Sequence, residues 1–332
     1  MSMRQRMPHA LLLHGRTGTG KVGFAQALAQ ALLCDTPSAE GVACNTCPSC
    51  GWFMQGNHPD FRLLDPEDAV EGETDAGAGE NSESESIKGA KSKKKNLITV
   101  HQVRALGDFL GLSTHRQGYR IVLLHPAESL NPASANALLK MLEEPPPSTL
   151  FLLVSRQPQR LLPTIRSRCV KMAMLPPDRK TAESWLANQG VQDFSRQLAY
   201  SGGSPLTVMA SDNELDARRQ ALFELLSQGR KMDPLVAAAV CAKEGMIGVV
   251  VAMQKWAYDL LALKLRGQVR YHQHLAVSMQ DLVESVNLNS LLSFQRLLDE
   301  ARRLAQHPLN AELQLESLLI RYVRLFRPQS RS

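Results

Sequence analysis

Gly15-Arg16-Thr17-Gly18-Thr19-Gly20-Lys21 has the spacing of a loop that wraps phosphate. In the pattern G-x-x-x-x-G-K, backbone amides cradle phosphate oxygens and the lysine reaches the terminal groups. Gly15, Gly18, Gly20 and Lys21 are the candidate nucleotide-contacting residues. The next position breaks the pattern: the hydroxyl that should hold Mg²⁺ is replaced by the branched hydrocarbon of Val22. Hydrolysis also needs an acid at the end of a neighbouring strand. Here the run Tyr119-Arg-Ile-Val-Leu-Leu124 ends in His125-Pro126-Ala127-Glu128, with one carboxylate, placed late. The loop is expected to bind ATP weakly or not at all and to hydrolyse nothing by itself.

The second chemical cluster is Cys34-x9-Cys44-x2-Cys47-x2-Cys50, four of the six cysteines in the chain. Such crowding in a cytosolic chain reads as metal binding rather than disulfide formation. Four thiolates close a tetrahedral zinc site with no open position, so the expected role is structural. Iron–sulfur ligation uses similar short C-x-x-C runs and stays open as a rival; four unliganded thiols are the plain alternative.

These residues need elements to hold them. Ala10–His14 is an apolar run fit for a buried parallel strand, and Gly23–Leu33 carries Phe24, Ala27, Leu28, Ala31 and Leu32 at helical spacing. The glycine loop thus lies between strand and helix, as a phosphate loop must. Phe61–Leu64, Arg120–Leu124 and Leu150–Val154 read as further strands. Leu97–Leu112 and a segment opened by Pro132 and stopped by the prolines after Glu144 read as helices. Alternating strands and helices predict a doubly wound α/β domain with a parallel sheet. Pro66 to Lys95 shifts from acidic to basic with too little apolar content to form a core and reads as a disordered insertion. Ala182–Ala187 and Asp193–Tyr200 read as helices of a compact lid. Leu215–Ser227, Asp233–Lys243, Gly248–Leu265, Leu291–Gln306 and Asn310–Phe326 read as helices of an all-α C-terminal domain.

At 332 residues the chain has room for two or three domains. Its formal charge of +6 is compatible with touching a nucleic-acid backbone but does not require it. No apolar run is expected to approach the roughly 18 residues of a membrane span. Met7–Leu13 is short and lacks a cleavage site, so the chain reads as cytoplasmic.

Asn136-Ala-Leu-Leu-Lys-Met-Leu-Glu-Glu-Pro-Pro146, followed by Ser167-Arg168-Cys169, resembles the clamp-loader branch of the AAA+ proteins, and the four cysteines resemble its bacterial members. The resemblance covers nearly the whole chain except the insertion. It implies an AAA+ domain over 1–170 containing a zinc module (34–50), a helical lid over 171–211 and a helical collar over 212–332. It implies a subunit of a heteropentameric ring, with motor subunits and a wrench (delta) subunit, that loads a sliding clamp on primer–template DNA within the replicative polymerase assembly. ATP in such rings is completed by an arginine from the next subunit; the resemblance gives that role to Arg168, flanked by Ser167 and Cys169. Active relatives carry Gly-Ser-x-Arg where this chain has Gly203-Ser204-Pro205-Leu206, and Ser155 falls in the sensor-1 region. Together these departures imply a non-hydrolysing member. An active ATPase of the same fold and a zinc-dependent DNA-binding protein with a decayed nucleotide fold are the alternatives. Arg104 and Arg116 are candidate DNA contacts.

Overall fold

The computed structural model describes residues 7–66, 97–111, 118–192, 194–241, 245–305 and 311–326. The expected disordered insertion falls almost wholly on 67–96, outside the described residues. The chain divides into two compact units, Met1–Leu175 and Pro176–Ser332.

The first unit runs β1 (Ala10–His14), α1 (Lys21–Leu33), α2 (Pro48–Met54), β2 (Phe61–Leu64), α3 (Val100–Gly111), β3 (Arg120–Leu124), α4 (Pro132–Glu143), β4 (Thr149–Ser155), α5 (Pro163–Arg168) and β5 (Val170–Ala173). The strands form one sheet in the order β2-β3-β4-β1-β5 with every pairing parallel. The middle strands are continuous apolar runs because both faces of the sheet are covered. Alternation sorts their side chains. Leu12, Val122, Phe151 and Leu153 face a core shared with Val103 and Leu106 of α3 and Leu138 of α4. Leu11, Leu13, Ile121 and Leu152 face the other core, with Ala25, Ala29 and Leu32 of α1. Asn131 caps α4 by accepting the Ser134 N–H at 2.8 Å, and Pro132 stands in its first turn.

Two expectations are corrected here. Val170–Ala173, expected to open the lid, is instead the edge strand β5 paired with β1. All four of its side chains are exposed, so it gave no apolar signal. The helix expected from Leu97 starts at Val100, because Ile98 is drawn into a parallel bridge with Leu130.

The second unit is helical among its described residues: α6 (Arg179–Asn188), α7 (Phe194–Tyr200), α8 (Pro205–Met209), α9 (Asn213–Ser227), α10 (Pro234–Cys241), α11 (Met246–Arg266), α12 (Ala276–Ser285), α13 (Leu288–Leu304) and α14 (Ala311–Arg324). Ala182, Leu186, Leu198 and Val208 form a small separate core. The larger core is centred on Trp256 and Tyr322. Trp256 Nε1 donates to Tyr322 Oη at 2.8 Å, and that hydroxyl donates to the Leu226 carbonyl at 2.7 Å, so both buried polar tips are satisfied. The segments of α8 and α12 were not foreseen as helices.

The expectation that no apolar run reaches membrane-span length also needs correction. By length and composition α11, with 21 residues, is long and apolar enough to cross a bilayer. Its midpoint, however, carries Lys255 and the fully buried Asp259. Asp259 accepts the N–H groups of Arg270, Tyr271 and His272 at 2.8–3.2 Å, and Lys255 donates to the Tyr200 carbonyl at 2.8 Å. Charges answered by neighbouring protein groups mark the spine of a helical core.

Candidate functional site

The glycine loop leaves β1 at the C-terminal edge of the sheet and enters α1. Gly15 has φ +151°, and a Cβ there would lie 2.3 Å from the Met174 carbonyl oxygen, just beyond β5. The Met174 N–H donates to the His14 carbonyl at 2.7 Å, so β1 and the chain leaving β5 are in backbone contact at this point. The first glycine of the loop is therefore demanded by the sheet itself. Gly18 and Gly20 take left-handed φ values of 76° and 82°. Gly20 caps α1 without a side-chain bond, which leaves first-turn N–H groups facing the loop.

The lysine does not extend from that cradle. Lys21 Nζ turns back to donate to the Arg16 carbonyl and lies 3.4 Å from Thr19 Oγ1, whose hydroxyl also donates to Arg16 at 3.0 Å. Lys21 is buried, and desolvation lowers its pKa; Glu128 opposes the shift and Arg156 adds to it. Val22 packs on the core beneath β1 and β3.

Glu128 is better placed than its sequence position suggested. The short turn Ala127–Ser129 after β3 folds its side chain back toward the loop, where its charge acts on Lys21 and His125. Its Oε1 lies 3.3 Å from Arg156 Nε and accepts the Arg156 N–H at 3.3 Å; Oε2 is buried with no partner among the described residues. One carboxylate already held by a guanidinium is not the pair of free acids that Mg²⁺ needs at a phosphate site. Burial lowers the His125 pKa. Ser155, opposite His14 in the β1–β4 register, is fully buried and accepts the Gln157 N–H at 3.1 Å. Leu206 lies on α8 in the second unit, largely exposed.

The cysteines converge. The Sγ atoms of Cys34, Cys44, Cys47 and Cys50 all lie within 4.8 Å of one another. Separations of 3.5, 3.9 and 4.0 Å join Cys34–Cys44, Cys34–Cys47 and Cys44–Cys50. A tetrahedron of Zn–S bonds near 2.3 Å spaces its sulfurs by about 3.8 Å, so the donor set fits zinc. N–H groups of Cys44, Cys47 and Cys50 point at Sγ atoms of the cluster at 3.3–3.4 Å, the outer-layer support such a site requires. Cys44 is drawn down to about 5, chiefly by the Thr36 side chain, whereas burial first pushes Cys50 up to about 12.

The module is tied to the sheet domain by a relay of side chains. The Asp60 N–H donates to His58 Nδ1 at 3.0 Å, which leaves the ring proton on Nε2 to donate to Ser49 Oγ at 2.9 Å. Ser49 in turn donates to the Leu33 carbonyl at the end of α1. Both side chains are buried. The signal in the sequence was the lone His58-Pro59-Asp60, whose partners are not sequence neighbours.

Arg168 ends α5. Its Nη2 lies 2.7 Å from Glu143 Oε1 at the end of α4, and its Nη1 donates to the Thr164 carbonyl at 3.1 Å. The side chain is 35% exposed, so the guanidinium is not enclosed by its own unit. Ser167 is exposed and donates to Thr164. Cys169 separates from its neighbours: its thiol is buried in the sheet core, and burial pushes its pKa up to about 11. It anchors the motif and does not accompany Arg168 to the surface. Arg104 is exposed on α3 and shares a groove with Lys140 of α4, a residue the sequence reading did not single out. Arg116 lies outside the described residues.

Residues 1–178 match the family described as DNA polymerase III, delta subunit. The chain is 33% identical over 334 residues to DNA polymerase III subunit delta-prime of Pseudomonas aeruginosa, covering 97% of this chain and 94% of that one. It is 34% identical over 205 residues to the protein of the same name from Escherichia coli K12, covering 61% of this chain and 54% of that one. The corresponding Bacillus subtilis protein is 33% identical over 231 residues, with 68% and 61% covered.

Proposed function

The chain belongs to the bacterial DNA polymerase III delta-prime subunit family, and from that premise we propose that it is a non-hydrolysing subunit of a replicative clamp loader. Its own phosphate loop is kept as a structural joint, while Arg168 is lent across a subunit seam to the ATP of a neighbouring motor subunit. The observation that carries this reading is the contrast between the two sites. Lys21 is folded onto its own loop beside Val22. Arg168 stands half-exposed at a helix end, held by an exposed carboxylate.

A transferring phosphoryl group spreads charge over its outer oxygens, and a planar guanidinium presents parallel donors to them. Such a residue supplied in trans contributes about 10³–10⁵ in rate in related phosphoryl-transfer systems. An exposed ion pair such as Arg168–Glu143 is worth only about 0–1 kcal/mol, so releasing the arginine from Glu143 costs little by comparison.

In this reading zinc is structural, held by Cys34, Cys44, Cys47 and Cys50, and it braces α2 against α1. Residues 176–211 act as the lid and the later helices as the collar that joins the ring. The partners are the motor subunits, the delta (wrench) subunit, the sliding clamp reached through the complex, and the primer–template backbone. The groove bearing Arg104 and Lys140 suits salt-dependent, sequence-blind phosphate contacts. The assembly is cytoplasmic. The deciding experiment reconstitutes the complex with motor subunits and compares wild type with Arg168→Ala, reading ATP turnover and clamp loading together. Unaltered turnover in an intact variant complex would remove the role.

A further inference from the structure

The second unit contains a cavity of about 260 Å³ that the proposed function leaves unused. Ligand pockets for drug-sized molecules span about 300–1,000 Å³, so this one suits a smaller, fragment-sized molecule. Tyr200 of α7, Phe223 of α9 and Val251 of α11 give it a largely apolar and aromatic wall.

The polar groups around that wall are predominantly cationic. Arg196, Arg219 and Lys255 line the cavity with a single carboxylate, Asp216, among the described lining residues. Asp216 is already held by Arg219 Nη1 at 2.9 Å and Gln197 Nε2 at 2.8 Å. Lys255 is fixed in place: its Nζ sits 3.6 Å from the centre of the Tyr200 ring and donates to the Tyr200 carbonyl. A cation already ordered spares a ligand part of the entropy cost of binding.

We propose that this cavity binds a small aromatic acid. Its flat body would lie on Tyr200 and Phe223, and its anionic group would meet Lys255 and the neighbouring arginines. The site is independent of the loop and of Arg168.

The test uses the full chain and indole-3-acetate as probe, followed by ligand-observed NMR. Indole-3-acetate should bind in the millimolar range or tighter, and tryptamine, with an ammonium for the carboxylate, at least about tenfold more weakly. Lys255→Met should weaken indole-3-acetate at least about tenfold. Val251→Phe, which fills the cavity without touching a charge, should abolish binding while melting and zinc content stay unchanged. Absence of binding to wild type, equal binding of tryptamine, or full binding to a folded Val251→Phe chain would each overturn the proposal.

Discussion

Arg168 Nη2 and Glu143 Oε1 lie 2.7 Å apart, joining the ends of α5 and α4 through an ion pair that both partners leave partly open to solvent. The pair has two readings with different consequences. As a structural brace it adds at most about 1 kcal/mol. As a resting position for a guanidinium with work elsewhere, loss of the arginine, and not of its carboxylate partner, impairs a neighbouring site. Arg168→Ala should leave the isolated chain's stability within about 1 kcal/mol of wild type. It should lower turnover at the adjoining ATP site by about 10³-fold or more in the assembled complex. Glu143→Gln should not lower that turnover. Arg168→Lys should not rescue it, because a point charge lacks the planar fork. Single-turnover assays on reconstituted complexes, beside urea melts of the single chain, separate the two readings.

The cysteine cluster predicts one zinc per chain. Cys47→Ser should abolish stoichiometric zinc, measured by elemental analysis of protein purified without chelator. A structural site of this kind carries about 10–16 kcal/mol of apparent binding energy, so the variant should also melt earlier and less cooperatively. Visible absorption from iron–sulfide charge transfer in the wild-type protein would instead assign a cluster.

The His58–Ser49 relay gives a separate stability test. Ser49→Ala removes the hydrogen bond to His58 Nε2 and leaves the Leu33 carbonyl without its side-chain donor. A loss of about 1–3 kcal/mol is expected in denaturant titration. Zinc stoichiometry should be retained, because no metal-binding sulfur is changed.

The degenerate loop can be probed from both ends. Gly15→Ala should destabilise the first unit by more than about 2 kcal/mol, because the added methyl meets the Met174 backbone and a positive φ at once. This loss does not depend on nucleotide, which explains why a loop without its metal ligand keeps its first glycine. Val22→Thr should not restore hydrolysis: β3 still ends in His125-Pro126-Ala127 with no acid, and Glu128 is held by Arg156. ATP turnover of the purified variant above background would contradict this.

Burial of His272 makes stability depend on pH with a definite sign. The imidazole pKa is lowered from its ordinary value near 6.5, by desolvation first, against the opposing pull of Asp259. Below about 6.5 the unfolded chain therefore binds a proton that the folded chain resists. This contribution to stability is complete above about 6.5 and is lost as pH falls toward the folded-state value. His274 acts in the same direction, also through burial. His272→Asn keeps a donor for Asp259 and removes the titration. Denaturant midpoints should fall less for it than for wild type between about pH 7 and 5.

Much of the sheet domain was legible along the chain. Central strands buried on both faces leave unbroken apolar runs, so Ala10–His14, Arg120–Leu124 and Leu150–Val154 could be read directly. The exposed edge strand Val170–Ala173 lacks that pattern and was missed. Alpha-helical periodicity found α9, α10, α11, α13 and α14, but α12 and the five-residue α8 were not singled out. Asn310–Phe326 was legible as a helix; that Leu315, Leu318, Leu319 and Tyr322 close on Trp256 as core depended on a segment some sixty residues away.

What the sequence by itself determined are features set by local spacing: the glycine loop and its missing hydroxyl, four thiols near enough to close on one ion, and the motif around Arg168. Tertiary structure alone decided what each group meets. Lys21 is retracted onto Arg16, Glu128 is brought back beside the loop, Cys169 is sunk in the core and Arg168 is left at the surface on Glu143. Spacing governs which atoms of one segment can converge. Desolvation and charge pairing depend on atoms from distant segments, and only the packed chain brings those together.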